Sequence, residues 1–161
     1  MSRLKLGVAT WVLWVLAACA TAQVANHALS WDVPSDSPGV ELLDYRYGDS
    51  NDPGTSNSPD RRARGTAPQA FIVSGPIRRG ETLYAKWKVK DTGAIFEDTA
   101  NLRGKLPADM DGYRVHFVVR GSQLFVYLVS PDPRPANLPP NGPSRFHARV
   151  VTTLHPENNV R

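Results

Sequence analysis

The amino-acid sequence predicts an all-β fold, an antiparallel β-sandwich of six or seven strands, with a small open β-barrel as the alternative. Three observations carry the prediction. Glu81 to Lys90 alternates strictly, with Leu83, Ala85, Trp87 and Val89 on one face and Thr82, Tyr84, Lys86, Lys88 and Lys90 on the other, the period of two of a half-buried strand. Gly121-Ser122 joins two apolar stretches, Tyr113 to Arg120 and Gln123 to Ser130, and glycine at the first central position fits a type II′ hairpin turn. Beyond the amino-terminal apolar run no segment has a helical period, and Leu102 to Met110 has room for a single turn.

In chain order, Ser2 to Lys5 is a short positive region and Leu6 to Ala18 an uncharged apolar run. This is the order of an export signal, too short for a stop-transfer helix. The run closes in Leu16-Ala17-Ala18-Cys19. Here the chain resembles bacterial lipoproteins, whose signal peptides end in a Leu-small-small-Cys lipobox. The resemblance implies a diacylglyceryl group on the Cys19 thiol, cleavage before Cys19 and an acyl chain on its new amino group. Ala20 after the cysteine implies, by the same resemblance, sorting to the outer membrane, facing the periplasm. The alternative is a soluble periplasmic or secreted protein cut after Ala22, since Ala20-Thr21-Ala22 is a small-x-small site. Residues 1–18 are thus expected to be a signal peptide, 19–30 a lipidated tether and 31–161 a single β domain. The stretch Ala20 to Ser30, small or polar and aperiodic, would reach at most about 35–40 Å.

Within the domain, Gly39 to Gly48 is the first strand candidate, with Leu43, Tyr45 and Tyr47 on one face. Residues 49–67 hold almost nothing apolar and are expected to be a long exposed, mobile loop. Ala70 to Ser74 is a short apolar strand ended by Gly75-Pro76. After the alternating Glu81 to Lys90, Asp91-Thr92-Gly93 turns the chain back into Ala94 to Leu102. A register that places Phe96 with Trp87 and Val89 puts Glu97 with Lys86 and Lys88, and leaves Asp98 on the apolar side. In the hairpin at Gly121, Val119 faces Leu124, Phe117 faces Val126 and Val115 faces Leu128. Val118, Phe125, Tyr127 and Val129 load the other face, so both faces of these strands are expected to be covered. Residues 131–144 carry six prolines and are expected to be a stiff exposed connection, neither strand nor helix. Arg145 to Leu154 is the last strand, with Phe146, Ala148, Val150 and Leu154 on one side.

Composition removes several functions. A single cysteine excludes an internal disulfide and a multi-thiolate metal site. Nineteen Lys and Arg against fifteen Asp and Glu give +4; without Arg3 and Lys5 the balance is 17 to 15, a net +2. That charge offers no argument for nucleic-acid binding. His27, His116, His147 and His155 form no close ligand pair, so no metal is expected, and His116 is read as lying on a sheet face beside Arg114. Asp109-Met110-Asp111-Gly112 is read as a turn entering a strand, because the oxygen ligands of a calcium loop do not follow. Glu97 and Asp98 point to opposite faces of a strand and cannot act on one substrate.

No nucleophile elbow, phosphate loop or dinucleotide fingerprint is present, so no catalytic residue is assigned and the protein is expected not to be an enzyme. Two basic clusters stand out: the row Lys86, Lys88, Lys90 and the group Arg61, Arg62, Arg64. Both fit solvated surface, where lysines discourage edge pairing; as function they are a candidate surface for an acidic partner. Residues 86–107 and 113–131 are similar to stretches of uncharacterised proteobacterial lipoproteins. That resemblance implies no site residues. The expected function is a lipid-anchored, non-enzymatic envelope lipoprotein that binds another macromolecule, either as accessory to an envelope machine or as an immunity-type protein. No cofactor is expected beyond the lipid on Cys19. A periplasmic small-ligand carrier with a cavity between its sheets is the alternative, and an envelope hydrolase a third reading.

Overall fold

The computed structural model describes residues 23–157, so the expected signal peptide and lipobox, Leu16 to Cys19 included, lie outside the described residues. Among the described residues eight strands form two facing sheets: β1 (Val24–Asp32), β2 (Val40–Tyr47), β3 (Ala70–Arg78), β4 (Thr82–Val89), β5 (Ile95–Asn101), β6 (Arg114–Arg120), β7 (Gln123–Pro133) and β8 (Arg149–His155). The five-stranded sheet runs β3-β1-β6-β7-β8 and the three-stranded sheet β2-β4-β5. The chain is therefore an all-β sandwich and not a closed barrel. Two short helices, α1 (Val33–Asp36) and α2 (Pro59–Ala63), and a 3-10 turn at Ser144–Phe146 complete it.

The largest departure from expectation is β1. Residues expected to be a tether form a strand inside the larger sheet, antiparallel to β3 and parallel to β6. This makes the strand count eight and adds one parallel pair. Ala25, His27, Leu29 and Trp31 alternate toward the smaller sheet, with Leu29 0% and Trp31 2% exposed. Histidine and alanine interrupt the apolar run and mask its period of two. β3 likewise continues through Gly75-Pro76 to Arg78, because an edge strand tolerates a missing N–H. β7 extends through Pro131 and Pro133, past the point where strand was expected to stop: its pairing with β6 ends at Val129, and beyond a register shift Pro133 faces Arg149 of β8.

In β2 the register shifts between Leu42 and Asp44. The bulge turns Val40 and Leu42 inward before it and Tyr45 and Tyr47 inward after it, while Leu43, expected on the tyrosine face, is only half-buried. The β4–β5 register is the expected one: Trp87 faces Phe96 and Lys86 faces Glu97. Asp98, opposite Ala85, is satisfied by His155 Nε2 at 2.9 Å. In the β6–β7 hairpin Val119 faces Leu124, Phe117 faces Val126 and Val115 faces Leu128, as expected. Gly121 has φ +54° while no non-glycine residue among those described has positive φ, which is the type II′ geometry.

Residues 49–67 form an exposed loop, as expected, with the short helix α2 set into it and several polar side chains buried beneath it. Ser58 caps α2, with its Oγ accepting from Arg61 N, and Pro59 opens the helix. Asn57, 2% exposed, donates to Thr66 O at 2.8 Å, and Thr55 Oγ1 donates to Asp52 O at 2.7 Å. Short polar side chains close the loop on its own backbone, without an apolar core. Between the sheets lies a continuous core around Trp31, Tyr47, Trp87, Phe117, Leu83 and Leu124. A second apolar layer covers the outer face of the large sheet: Ala28, Val118, Tyr127, Val129 and Phe146 are buried but outside that core. Phe146, expected to open the last strand, sits in the 3-10 turn and folds onto this outer face, so β8 begins only at Arg149.

Candidate functional site

The outer face of the five-stranded sheet carries a buried polar cluster. Its origin is register. Across the strands Ile72 faces Ser30, Ser30 faces His116, and His116 faces Tyr127, all pointing away from the sandwich core. Asp32 ends β1 and caps α1, accepting from Ser35 N at 3.2 Å, and the single helical turn returns Asp36 over His116. Arg145 reaches in from the 3-10 turn.

The resulting chain of contacts is short throughout. Ser30 Oγ lies 2.8 Å from His116 Nδ1, and His116 Nε2 lies 2.9 Å from Asp36 Oδ2. Arg145 donates to Asp36 Oδ1 at 2.9 Å and to Asp32 Oδ2 at 2.7 Å. Asp36 accepts from Nε2–H, so in the neutral ring Nδ1 accepts the Ser30 O–H. Burial lowers the His116 pKa and outweighs the raising hydrogen bond and charge of Asp36; Arg145 and Arg114 add to the lowering. For Asp32, burial raises the pKa, but the hydrogen bonds from Arg145 and Ser35 prevail and hold it below the usual carboxylate range.

A cleft of about 370 Å³ opens above this cluster, with Ser30, His116, Arg114 and Arg145 on its polar side and Phe71, Ile72 and Phe146 among its apolar walls. Arg114 lies over the Phe146 ring, 5.5 Å from its centroid. Ser30, His116 and Asp36 have the proton order of an acyl-transfer relay: hydroxyl to ring, ring to carboxylate. Among the described residues the oxyanion half of that chemistry is not assembled. Because β1 runs between β3 and β6, the backbone N–H groups around Ser30 are committed to the sheet ladders and do not turn toward the cleft.

The basic residues singled out in the sequence come together on a different face. On the outer side of the small sheet Lys88 pairs with Glu41 at 2.9 Å, and Lys86 stands between Asp44 and Glu97 in cross-strand register. Arg62 in α2 bonds Asp44 at 3.1 Å, which places the arginine group over the same sheet. Lys90 donates to Pro38 O at 2.7 Å, while Arg61 and Arg64 are exposed. The face is thus of mixed sign, with half of its cations already engaged. The four histidines are dispersed. His27, 3% exposed, donates from Nδ1 to Ala25 O and accepts from Tyr47 at Nε2; His147 bonds Gly142 O, and His155 bonds Asp98. Among the described residues no group of three His, Cys, Asp or Glu side chains is placed to hold a metal. Asp109 to Gly112 is a turn, with Asp111 N donating to Asp109 Oδ1 and Gly112 at φ +72°.

Ser30 and Asp36 were missed as site residues because the sequence places them in a tether and at a domain edge. Once β1 is a strand, the alternation of Asn26, Ala28, Ser30 and Asp32 with its inward residues puts Ser30 on the outer face, and the Asp32 cap of α1 brings Asp36 over it. No family model, curated protein or solved structure matches the chain.

Proposed function

We propose that this protein is a lipid-anchored, non-enzymatic component of the bacterial cell envelope whose sandwich binds another protein there, at the open edge of β3. The lipobox Leu16-Ala17-Ala18-Cys19 supports the anchor. Four residues, Ala20 to Gln23, separate Cys19 from the start of β1, so the anchor holds that end of the sheet within about 20 Å of the bilayer. Ser30 and the cleft lie about 20 Å farther along the strand, on the side away from the anchor.

The observation that carries the binding is β3. Asp52 Oδ2 takes the Arg78 N–H at its far end, but among the described residues no backbone hydrogen bond covers Ala70 to Ser74 on the open side. That half of the edge has neither charge nor proline, and leaves Phe71 41% and Ile72 51% exposed. Edge strands of this kind pair with added strands unless blunted. The carrier alternative is disfavoured by an inter-sheet space filled with Trp31, Trp87, Tyr47 and Phe117, each 2% exposed or less. The hydrolase reading lacks the oxyanion donors described above.

Two measurements on protein from solubilised membranes test this. Intact mass is expected to give an amino terminus at Cys19 with added acyl mass; an unmodified terminus at Gln23 would sink the anchor. Ile72→Lys should fold normally, because the side chain is exposed, yet lose the envelope protein that wild type retains. Retention of the same identified partner by Ile72→Lys would sink the edge.

A further inference from the structure

We infer that the cleft beside β3 is a carboxylate site, in which Arg114 is the counter-ion of a single carboxylate carried on an apolar group. The inference rests on the partner-binding reading of β3 and names the chemistry that the partner brings to it.

Arg114 stands apart from the other arginines. Among the described residues Arg62, Arg79, Arg103, Arg134, Arg145 and Arg149 each donate to an acceptor in the protein. Arg46, Arg61, Arg64, Arg78 and Arg120 make no such side-chain bond but are exposed, where water serves them. Of the arginines described, Arg114 alone is half-buried and has no acceptor among the described residues for its five N–H donors. Among the described residues its guanidinium lies over the face of Phe146 and bonds no acceptor, which leaves its edge available for a bidentate pair at the cleft. The carboxylates nearest the cluster, Asp32 and Asp36, are already held by Arg145, and burial together with Arg145 lowers the Arg114 pKa.

The same arrangement selects the ligand's charge. Asp32 lines the cleft and Asp36 lies beneath it, so a dianionic phosphate meets two fixed negative charges with one free cation. With Arg145 and Arg114 set against Asp32 and Asp36 the four side chains sum to zero, so a monoanion leaves one uncompensated negative charge where a dianion leaves two. Phe71, Ile72 and Phe146 give an apolar flank to whatever carries the carboxylate. An acidic side chain on a strand added to β3 has this form, since Ile72 of the edge and Ser30 of the cleft floor are cross-strand neighbours.

The test uses full-length protein in detergent micelles, followed by NMR titration, which needs no partner. N-acetylphenylalanine is expected to bind saturably with shifts at Arg114 and Ile72, while its uncharged amide and inorganic phosphate bind at least about tenfold more weakly. Arg114→Gln should lose binding by about the same factor with its melting temperature retained. Arg114→Lys, which keeps the charge without the fork, should fall between the two. Equal binding of acid and amide, undiminished binding by Arg114→Gln, or no saturable binding to wild type overturns the site; none of these touches the capture experiment with Ile72→Lys. An end-capped extended peptide with one glutamate should bind more tightly than the free acid. Tighter binding by the free acid overturns a partner segment as the source of the carboxylate.

Discussion

Ser30 and His116 are 5% and 1% exposed, so each depends on the other for a hydrogen bond that solvent does not replace. Ser30→Ala leaves His116 Nδ1 without its donor and is expected to cost about 1–3 kcal/mol, seen as a lower urea midpoint with an unchanged m-value. The buried rings also set a pH dependence. Burial holds both His116 and His27 below the ordinary histidine value of 6.5. Above that value neither the folded nor the unfolded chain carries these protons, and there is no penalty. As pH falls below it the unfolded chain takes them up first, so stability falls until the lowered folded-state values are reached. Asp36, Arg145 and Arg114 are the charged groups that face His116, and the two arginines stay charged throughout. The melting temperature should therefore drop between about pH 7.5 and pH 5.5, and drop less in His116→Gln. A flat profile over that interval would contradict a neutral buried ring. At this scale the sequence identified His116 as a sheet-face residue beside Arg114. It did not reveal Ser30 and Asp36, which are 86 and 80 residues away along the chain.

Local patterns decide elements where the code is short-range. The Gly121 hairpin was legible because a two-residue turn and two apolar strands determine their own register, and the Trp87 indole seals it by donating to Gly121 O at 2.7 Å. A Cβ at Gly121 meets no atom within 4 Å, so the cost of Gly121→Val is backbone strain at φ +54° and not a clash. That cost is about 1–3 kcal/mol, and Gly121→Asn should recover part of it, because asparagine tolerates the left-handed region. Equal urea midpoints for wild type and Gly121→Val would refute the turn type. The β2 bulge, by contrast, has no signal in Leu42-Leu43-Asp44. Which leucine turns inward depends on pairing with β4, a contact about forty residues away. The helix α2 lies between: Ser58-Pro59-Asp60 is a capping signature, hidden in a stretch whose composition reads as loop.

For the whole molecule, β1 distinguishes a tether from a structural strand. Wedged between β3 and β6, it delivers Leu29 and Trp31 to the core. Removing residues 1–30 deletes a strand partner of both neighbours and a fully buried leucine, whose loss alone costs about 2–5 kcal/mol. That truncation should give unfolded or insoluble protein, whereas a chain beginning at Gln23 should melt as the longer one does. A cooperative transition from a chain starting at Trp31 would show that β1 is dispensable. Melting curves with and without a chelator should coincide, as the core forms from side chains alone; a large drop with chelator would overturn a metal-free fold.

The sequence by itself determined the all-β class, the β4–β5 and β6–β7 pairings and the covered outer face of β6 and β7. These follow from alternation and tight turns, which act between residues close in the chain. Only the tertiary structure decided that residues 24–32 are a strand, that β1 runs parallel to β6 and that a proline-rich connection folds Phe146 back over the sheet. The cleft depends on all three. Ser30, Asp36, Arg114 and Arg145 meet because strands distant in sequence share one register, and the free energy that selects such a register comes from burying whole faces, not from any local pattern.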